Sequence, residues 1–149
     1  MTLSFKEDHI SQIPALMMLE KVGYTYLTPA EAMELRGGSN GNVLLEPILR
    51  EQLAKINTVQ VSSQRTTVFS EQNITAGIEA LKNLPMAEGY MTASQVAYDL
   101  LTAGKTLEQI VDGDKKSYVM QYIDWKHIEN NAFHVTEEFA VSRTGMSDT

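Results

Sequence analysis

The chain's 149 residues are 43% hydrophobic and 21% charged, the balance of an ordinary folded segment and not of a disordered or collagen-like chain. Its 12 Lys and Arg against 19 Asp and Glu leave a formal charge of -7 at pH 7, so the segment as a whole offers no electrostatic glove for phosphates. The absence of Cys excludes a disulfide framework, a thiolate nucleophile and a thiolate zinc site, and a reducing cytoplasm is the expected compartment.

Four Ser or Thr residues stand three positions ahead of an acid or amide and so announce capping boxes: Ser4 with Glu7, Thr28 with Glu31, Thr92 with Gln95 and Thr106 with Gln109. A first helix is predicted from about residue 7 to 22, with Ile10, Ile13, Leu16, Met17 and Leu19 as its buried stripe and Gly23 as its stop. Pro14 inside it would remove a backbone bond and clash with the preceding turn, at roughly 3 kcal/mol, so either a kink there or a start near Ser11 is expected. The apolar run 13–19 is too short to span a bilayer and lacks a basic flank, so neither a transmembrane helix nor a signal peptide is expected. Thr28 opens the best-bounded helix, with Pro29 at its first position and Gly37 and Gly38 as the left-handed stop after Arg36. Beyond a Gly/Asn/Ser loop at 37–42, Leu44, Leu45, Ile48, Leu49, Leu53 and Ile56 recur at helical spacing and place a third helix over Glu46–Ile56.

Residues 59–69 are β-branched or aromatic at both ends but polar over 62–65, which predicts an extended stretch or a poorly defined hairpin. Ile74, Ile78 and Leu81 share a helical face between Ser70 and Pro85, and Val96, Leu100 and Leu101 do so over 92–103, closed by Gly104. Residues 107–111 read as one further helical turn. Two strands, 118–125 and 132–141, are predicted to pair antiparallel across the polar connection 126–131. The expected fold class is α/β, with α+β as the alternative: a helix-rich segment with a small strand pair at its C-terminal end, forming one partial domain over 1–149.

No Walker A loop, G-x-G-x-x-G, H-E-x-x-H or G-x-S-x-G occurs, so phosphate-loop, dinucleotide, zincin and hydrolase-elbow chemistry lacks sequence support. Backbone N–H groups of residues 37–41 could cradle an anion, although loops of this composition ordinarily serve as connectors. His9, His127 and His134 have no metal-ligating spacing and read as surface or packing residues. Glu137 and Glu138 would point to opposite faces of a strand and so cannot form one paired-carboxylate site. Glu7, Asp8 and Gln12 fall at the start of the first helix, where carboxylates complement the helix dipole. Tyr118, Tyr122 and Trp125 could stack bases, but without interleaved Lys or Arg they are expected in the core.

Several stretches, in order, resemble the N-terminal region of the restriction (R) subunit of type I restriction–modification enzymes. They are Asp8-x-x-x-Gln12 leading into Leu19-Glu20-Lys21-Val22-Gly23-Tyr24-Thr25-Tyr26-Leu27, then Leu49-Arg50-Glu51-Gln52-Leu53-Ala54-Lys55-Ile56-Asn57, and Leu100-Leu101-Thr102-Ala103-Gly104. Tyr122-Ile123-Asp124-Trp125 and Asn130-Asn131-Ala132-Phe133-His134-Val135-Thr136-Glu137-Glu138-Phe139 are the most specific. The resemblance implies the helix-rich N-terminal part of a restriction-endonuclease-like domain, in which an Asp and a later Glu-x-Lys on neighbouring strands bind Mg2+ and activate water. It places those ligands downstream of this chain, and leaves Asp8 and Gln12 as metal-proximal helix positions. Gln12 stands where many relatives carry a Glu, and an amide lacks the charge that a hard cation favours.

The resemblance further implies an ATP-driven DNA translocase downstream, docking on methyltransferase and specificity subunits, and a bacterial or archaeal cytoplasmic location with no membrane association. The parent would be a type I site-specific deoxyribonuclease, with this segment alone inactive and binding neither Mg2+ nor ATP. The alternative is a non-catalytic scaffold or subunit-interaction module. Residues contacting DNA are not assigned by the sequence. A strand at 132–141 would carry an edge that pairs with further chain, with a second copy or with its own C-terminal residues.

Overall fold

The computed structural model describes residues 11–142. Their order is α1 (Ile13–Lys21), β1 (Thr25–Tyr26), α2 (Pro29–Leu35), α3 (Glu46–Ile56), β2 (Val59–Ser62), β3 (Arg65–Thr67), α4 (Glu71–Lys82), α5 (Tyr90–Ala103), β4 (Lys105–Val111), β5 (Asp114–Met120) and β6 (His134–Val135). Helix and strand are thus mixed, as the sequence predicts. The described residues gather into two compact units, one of 11–45 with 132–142 and the other Glu46–Asn131.

In the first unit, Pro14 lies in the opening turn of α1, behind Gln12 as N-cap. Residues 11 and 12 directly ahead of α1 are already π-helical, so the backbone bond that Pro14 cannot make coincides with a local irregularity of the helix, and the residues before Ser11 lie outside the described ones. The expected apolar stripe is not buried: Ile13 is 42% and Met17 56% exposed, Leu16 and Leu19 are half-buried, and Ile10 lies outside the described residues. The capping box of α2 forms in full, with Glu31 N donating to Thr28 Oγ1 at 3.1 Å and Thr28 N donating to Glu31 Oε2 at 2.8 Å. Gly37 and Gly38 end it in the left-handed region, returning N–H bonds to Glu34 O and Met33 O. Residues at opposite ends of the chain complete this unit. β1 and β6 pair in parallel, Thr25 with His134 and Tyr26 with Val135, while the Tyr24 and Phe133 rings pack 5.4 Å apart.

That pairing corrects the predicted strand pair at 118–125 and 132–141, which does not form. β5 takes β4 as its antiparallel partner, from Lys105 opposite Met120 to Val111 opposite Asp114. The turn decides this, since Asp112 and Gly113 both have positive φ (53° and 84°), the backbone that a tight two-residue hairpin needs. Asp-Gly between alternating residues is a hairpin signal, and closing a two-residue loop costs less entropy than closing one of six. Residues 107–111 are accordingly strand and not a helical turn, and Thr106 is no cap. Nor is Thr92: α5 begins at Tyr90 after Gly89, and Gln95 bonds Asp99 instead. The box predicted at Ser4 lies outside the described residues. The stretch 59–69 resolves as the β2–β3 hairpin with an irregularity between Gln60 and Ser62.

The second unit holds the larger core, in which Leu53, Val59, Phe69, Ile74, Ile78, Met120 and Tyr122 are all buried. α4 carries Ile74 and Ile78 on its inner face beside Gly77, where an added Cβ would sit 2.7 Å from the Met120 sulfur. That gap lets Tyr122 reach in and donate its hydroxyl to Gly77 O at 2.6 Å. Burial pushes the Tyr122 hydroxyl up to about 12, so it remains a donor at neutral pH. Gln109, buried on β4, caps the start of α4 from outside the helix: its Oε1 accepts from Ser70 N (2.8 Å) and Asn73 Nδ2 (3.1 Å), and its Nε2 donates to Val68 O.

Asn57, only 5% exposed, behaves as a peptide group in side-chain form. Its Oδ1 accepts from Gln121 N at 2.7 Å while its Nδ2 donates to Gln121 O at 2.8 Å and to Leu53 O at 3.0 Å. Beyond it the chain closes on Asp124. Its Oδ1 accepts from the backbone N–H of His127 (2.9 Å) and Lys126 (3.2 Å), and its Oδ2 accepts from Asn130 Nδ2 (3.0 Å). Asn131 completes the loop, accepting from Asp124 N and donating to Asp124 O and Ile128 O. The Asn130 amide, with the His127 and Lys126 N–H groups behind it, holds the Asp124 carboxyl below the ordinary aspartate range.

Two measurements test this account. Asn57→Ala leaves both backbone groups of Gln121 without their partner, and equilibrium urea unfolding should show a loss of about 3 kcal/mol; a loss within experimental error of zero would show the clamp to be idle. Because folding lowers the Asp124 pKa, its contribution is full above the unfolded value near about 4 and disappears as pH falls through the lower folded value. The melting-temperature gap between wild type and Asp124→Asn should therefore hold from neutral pH to about pH 5 and close below about pH 4. A gap independent of pH would contradict the hydrogen-bonded carboxylate.

Candidate functional site

The two metal-proximal positions are the first to place. Asp8 lies outside the described residues. Gln12 is the N-cap of α1, its backbone already helical (φ -69°, ψ -51°), its amide makes no cap hydrogen bond, and the first turn behind it has no acidic residue. Among the described residues, no three His, Asp or Glu side chains are grouped so as to hold a metal ion. His127 is exposed beside Asp124, and His134 is half-buried in β6.

The carboxylates expected on a strand at 137 and 138 are not on one. Glu138 has φ 49°, a left-handed turn that separates its direction from Glu137. Glu137 instead accepts a hydrogen bond from Tyr26 Oη at 2.8 Å. That bond raises the tyrosine pKa, with the charges of Glu137, Glu31 and Glu20 adding to it, so Tyr26 acts as a fixed donor and not as a base. The aromatic trio divides: Tyr122 is core, Tyr118 is half-buried, and Trp125 is 56% exposed with Nε1 donating to Leu101 O near the end of α5. A Trp indole with its N–H committed to a helix carbonyl packs on that helix end, which corrects the expectation of burial for Trp125.

Residues 37–42 do not form an anion cradle. Their carbonyls turn towards Arg36, whose Nε donates to Asn42 O at 2.5 Å and whose Nη2 donates to Asn40 O at 2.9 Å. This loop encloses a cation, the reverse of the anion-binding arrangement. The sequence placed Arg36 only as the last residue before a glycine stop. Its burial had a faint signal in the polar, glycine-spaced loop that follows, rich in short side chains that leave carbonyls accessible.

In the second unit a cleft of about 350 Å³ opens between β3 and β4, lined by Arg65, Thr66, Thr67 and residues 109–112. Arg65 pairs with Asp112 across it, and the Gln109 amide is committed to α4, so its charges and its largest polar group serve the protein itself. Four residues from the stretches that carried the family resemblance, Asn57, Tyr122, Asp124 and Asn131, bond backbone groups. Each of these four side chains holds the chain's own backbone.

Residues 4–148 match a family model described as the type I restriction enzyme R protein N terminus, which spans nearly the whole chain. Comparison with curated proteins and with solved structures gave no significant match. No helix among the described residues is long and apolar enough to cross a membrane. With the match running through both units, the chain belongs to the family of type I restriction enzyme R protein N-terminal regions.

Proposed function

We propose that this chain is the N-terminal part of the nuclease domain of a type I restriction R subunit, whose parent cleaves unmodified foreign DNA in the cytoplasm while an ATP-driven motor translocates it. The observation that carries this is the family match over residues 4–148. In this proposal DNA, the methyltransferase subunit and the specificity subunit are partners of the parent enzyme.

Mg2+ and ATP belong to that parent. The donor set described here does not fit Mg2+: Gln12 is a neutral amide, α1 has no acid in its first turn, and a hard cation bound near phosphates needs carboxylate oxygens. No catalytic step is therefore assigned to these residues. Their part is to build the frame on which a downstream Asp and Glu-x-Lys would be carried, which agrees with side chains spent on holding backbone.

Purified chain 1–149 should neither nick supercoiled plasmid in Mg2+ nor hydrolyse ATP, whereas the R subunit containing it, assembled with methyltransferase and specificity subunits, should do both. Nicking by the isolated chain would overturn the assignment of catalysis to downstream residues. An assembled R subunit that binds its partners but leaves DNA uncut would favour the scaffold alternative.

A further inference from the structure

Arg36 is the largest fully buried side chain in the described residues, 2% exposed, and no carboxylate among them pairs with it. A buried cation left so would be costly, and it is stabilised here by neutral groups. Two loop carbonyls, Asn42 O and Asn40 O, take its Nε and Nη2, and the Phe139 ring lies over its guanidinium carbon at 3.9 Å. Asn42 Nδ2 returns a bond to Arg36 O at 3.0 Å, closing the loop on the end of α2. The Asn40 carbonyl also accepts from Ser142 N at 3.1 Å, so one oxygen joins α2, its loop and the 139–142 segment.

The backbone of that segment has little regular structure to hold it. β6 ends at Val135, and Glu138 sits at φ 49°, a conformation that costs a non-glycine residue free energy and persists only where contacts on both sides enforce it. Those contacts are Tyr26 to Glu137 on one side and Arg36 against Phe139 on the other.

We infer that Arg36 is a positioning residue: its fork and its stacked face fix Phe139 and Ser142 against the end of α2 and hold the 139–142 stretch of the first unit in one conformation. Resting on the proposed function, this makes Arg36 an anchor on which cleavage by the parent subunit depends, although its buried side chain takes no part in the chemistry. Lysine cannot replace it. A single ammonium lacks the planar fork that reaches two carbonyls while presenting a flat face to a ring.

The test uses chain 1–149 carrying Arg36→Met, Arg36→Lys or Phe139→Leu, with amide hydrogen exchange followed by NMR. Protection of the Ser142 amide should fall by about tenfold or more in all three, as expected for loss of a hydrogen-bonded charged group or its stacked ring. Gln121 N, held by Asn57 in the other unit, should be unaffected. Should Arg36→Met unfold the first unit, seen as lost protection at Thr25 and Ala32, Phe139→Leu decides, because it leaves both carbonyls their donor. Unchanged Ser142 protection in Phe139→Leu and Arg36→Lys overturns the inference. In the assembled R subunit, the same substitutions should lower plasmid cleavage by about tenfold while DNA-stimulated ATP hydrolysis stays at the wild-type rate. Loss of both activities together overturns positioning in favour of general stability. A wild-type subunit that cuts no DNA defeats the proposed function, and the exchange result then still decides whether Arg36 anchors the segment.

Discussion

Two strands of chain that end without regular pairing are brought together by one amide. Asn57 closes α3, Gln121 follows β5, and the side chain of the first satisfies both the N–H and the C=O of the second as a neighbouring strand would. Buried backbone groups must be paired, and here no strand is present to do it. With Gln121 held, Met120 and Tyr122 on either side are driven into the core together, and their room comes from Gly77 on α4. Gly104 makes a similar allowance at the other end: with φ 83°, it lets the backbone pass so close to Met120 that a Cβ there would lie 2.5 Å from the Met120 carbonyl oxygen. The second unit is thus organised around the end of β5 more than around a sheet.

The first unit uses the same economy with fewer elements. Among its described residues the strand pairing is β1 with β6, two residues long and too little to hold on its own. Side chains extend it: Tyr24 against Phe133, Tyr26 to Glu137, Arg36 beneath Phe139. Each joins a residue before 40 to one after 130, so the unit depends on contacts between parts of the chain far apart in sequence. Closing the chain over such a span costs loop entropy, which these polar and aromatic contacts help to offset.

For function, the telling property is what the family-bearing residues do. Asn57, Tyr122, Asp124 and Asn131 are types often found in active sites, yet every one is bound to backbone or to a loop amide. These four residues of the family-like stretches thus serve the fold.

The sequence by itself determined the local elements. Thr28, Pro29 and Glu31 specify the start of α2, Gly37 and Gly38 its end, and the spacing of Leu49, Leu53 and Ile56 the face of α3, because caps and periodicity act over a few residues. The order of its motifs also carried the family. The β4–β5 hairpin carried a signal in Asp112-Gly113, but the helix-like Thr106/Gln109 spacing led instead to a helical turn over 107–111, and the structure decided for the turn. Only the tertiary structure decided the partner of β6, the burial of Arg36 and the exposure of α1. Nothing near His134 in sequence specifies Thr25, and a lone arginine before two glycines looks the same whether solvated or enclosed. Those outcomes depend on which distant groups arrive to satisfy a carbonyl, cover a ring or leave a helix face open, and that information exists only once the chain has closed on itself.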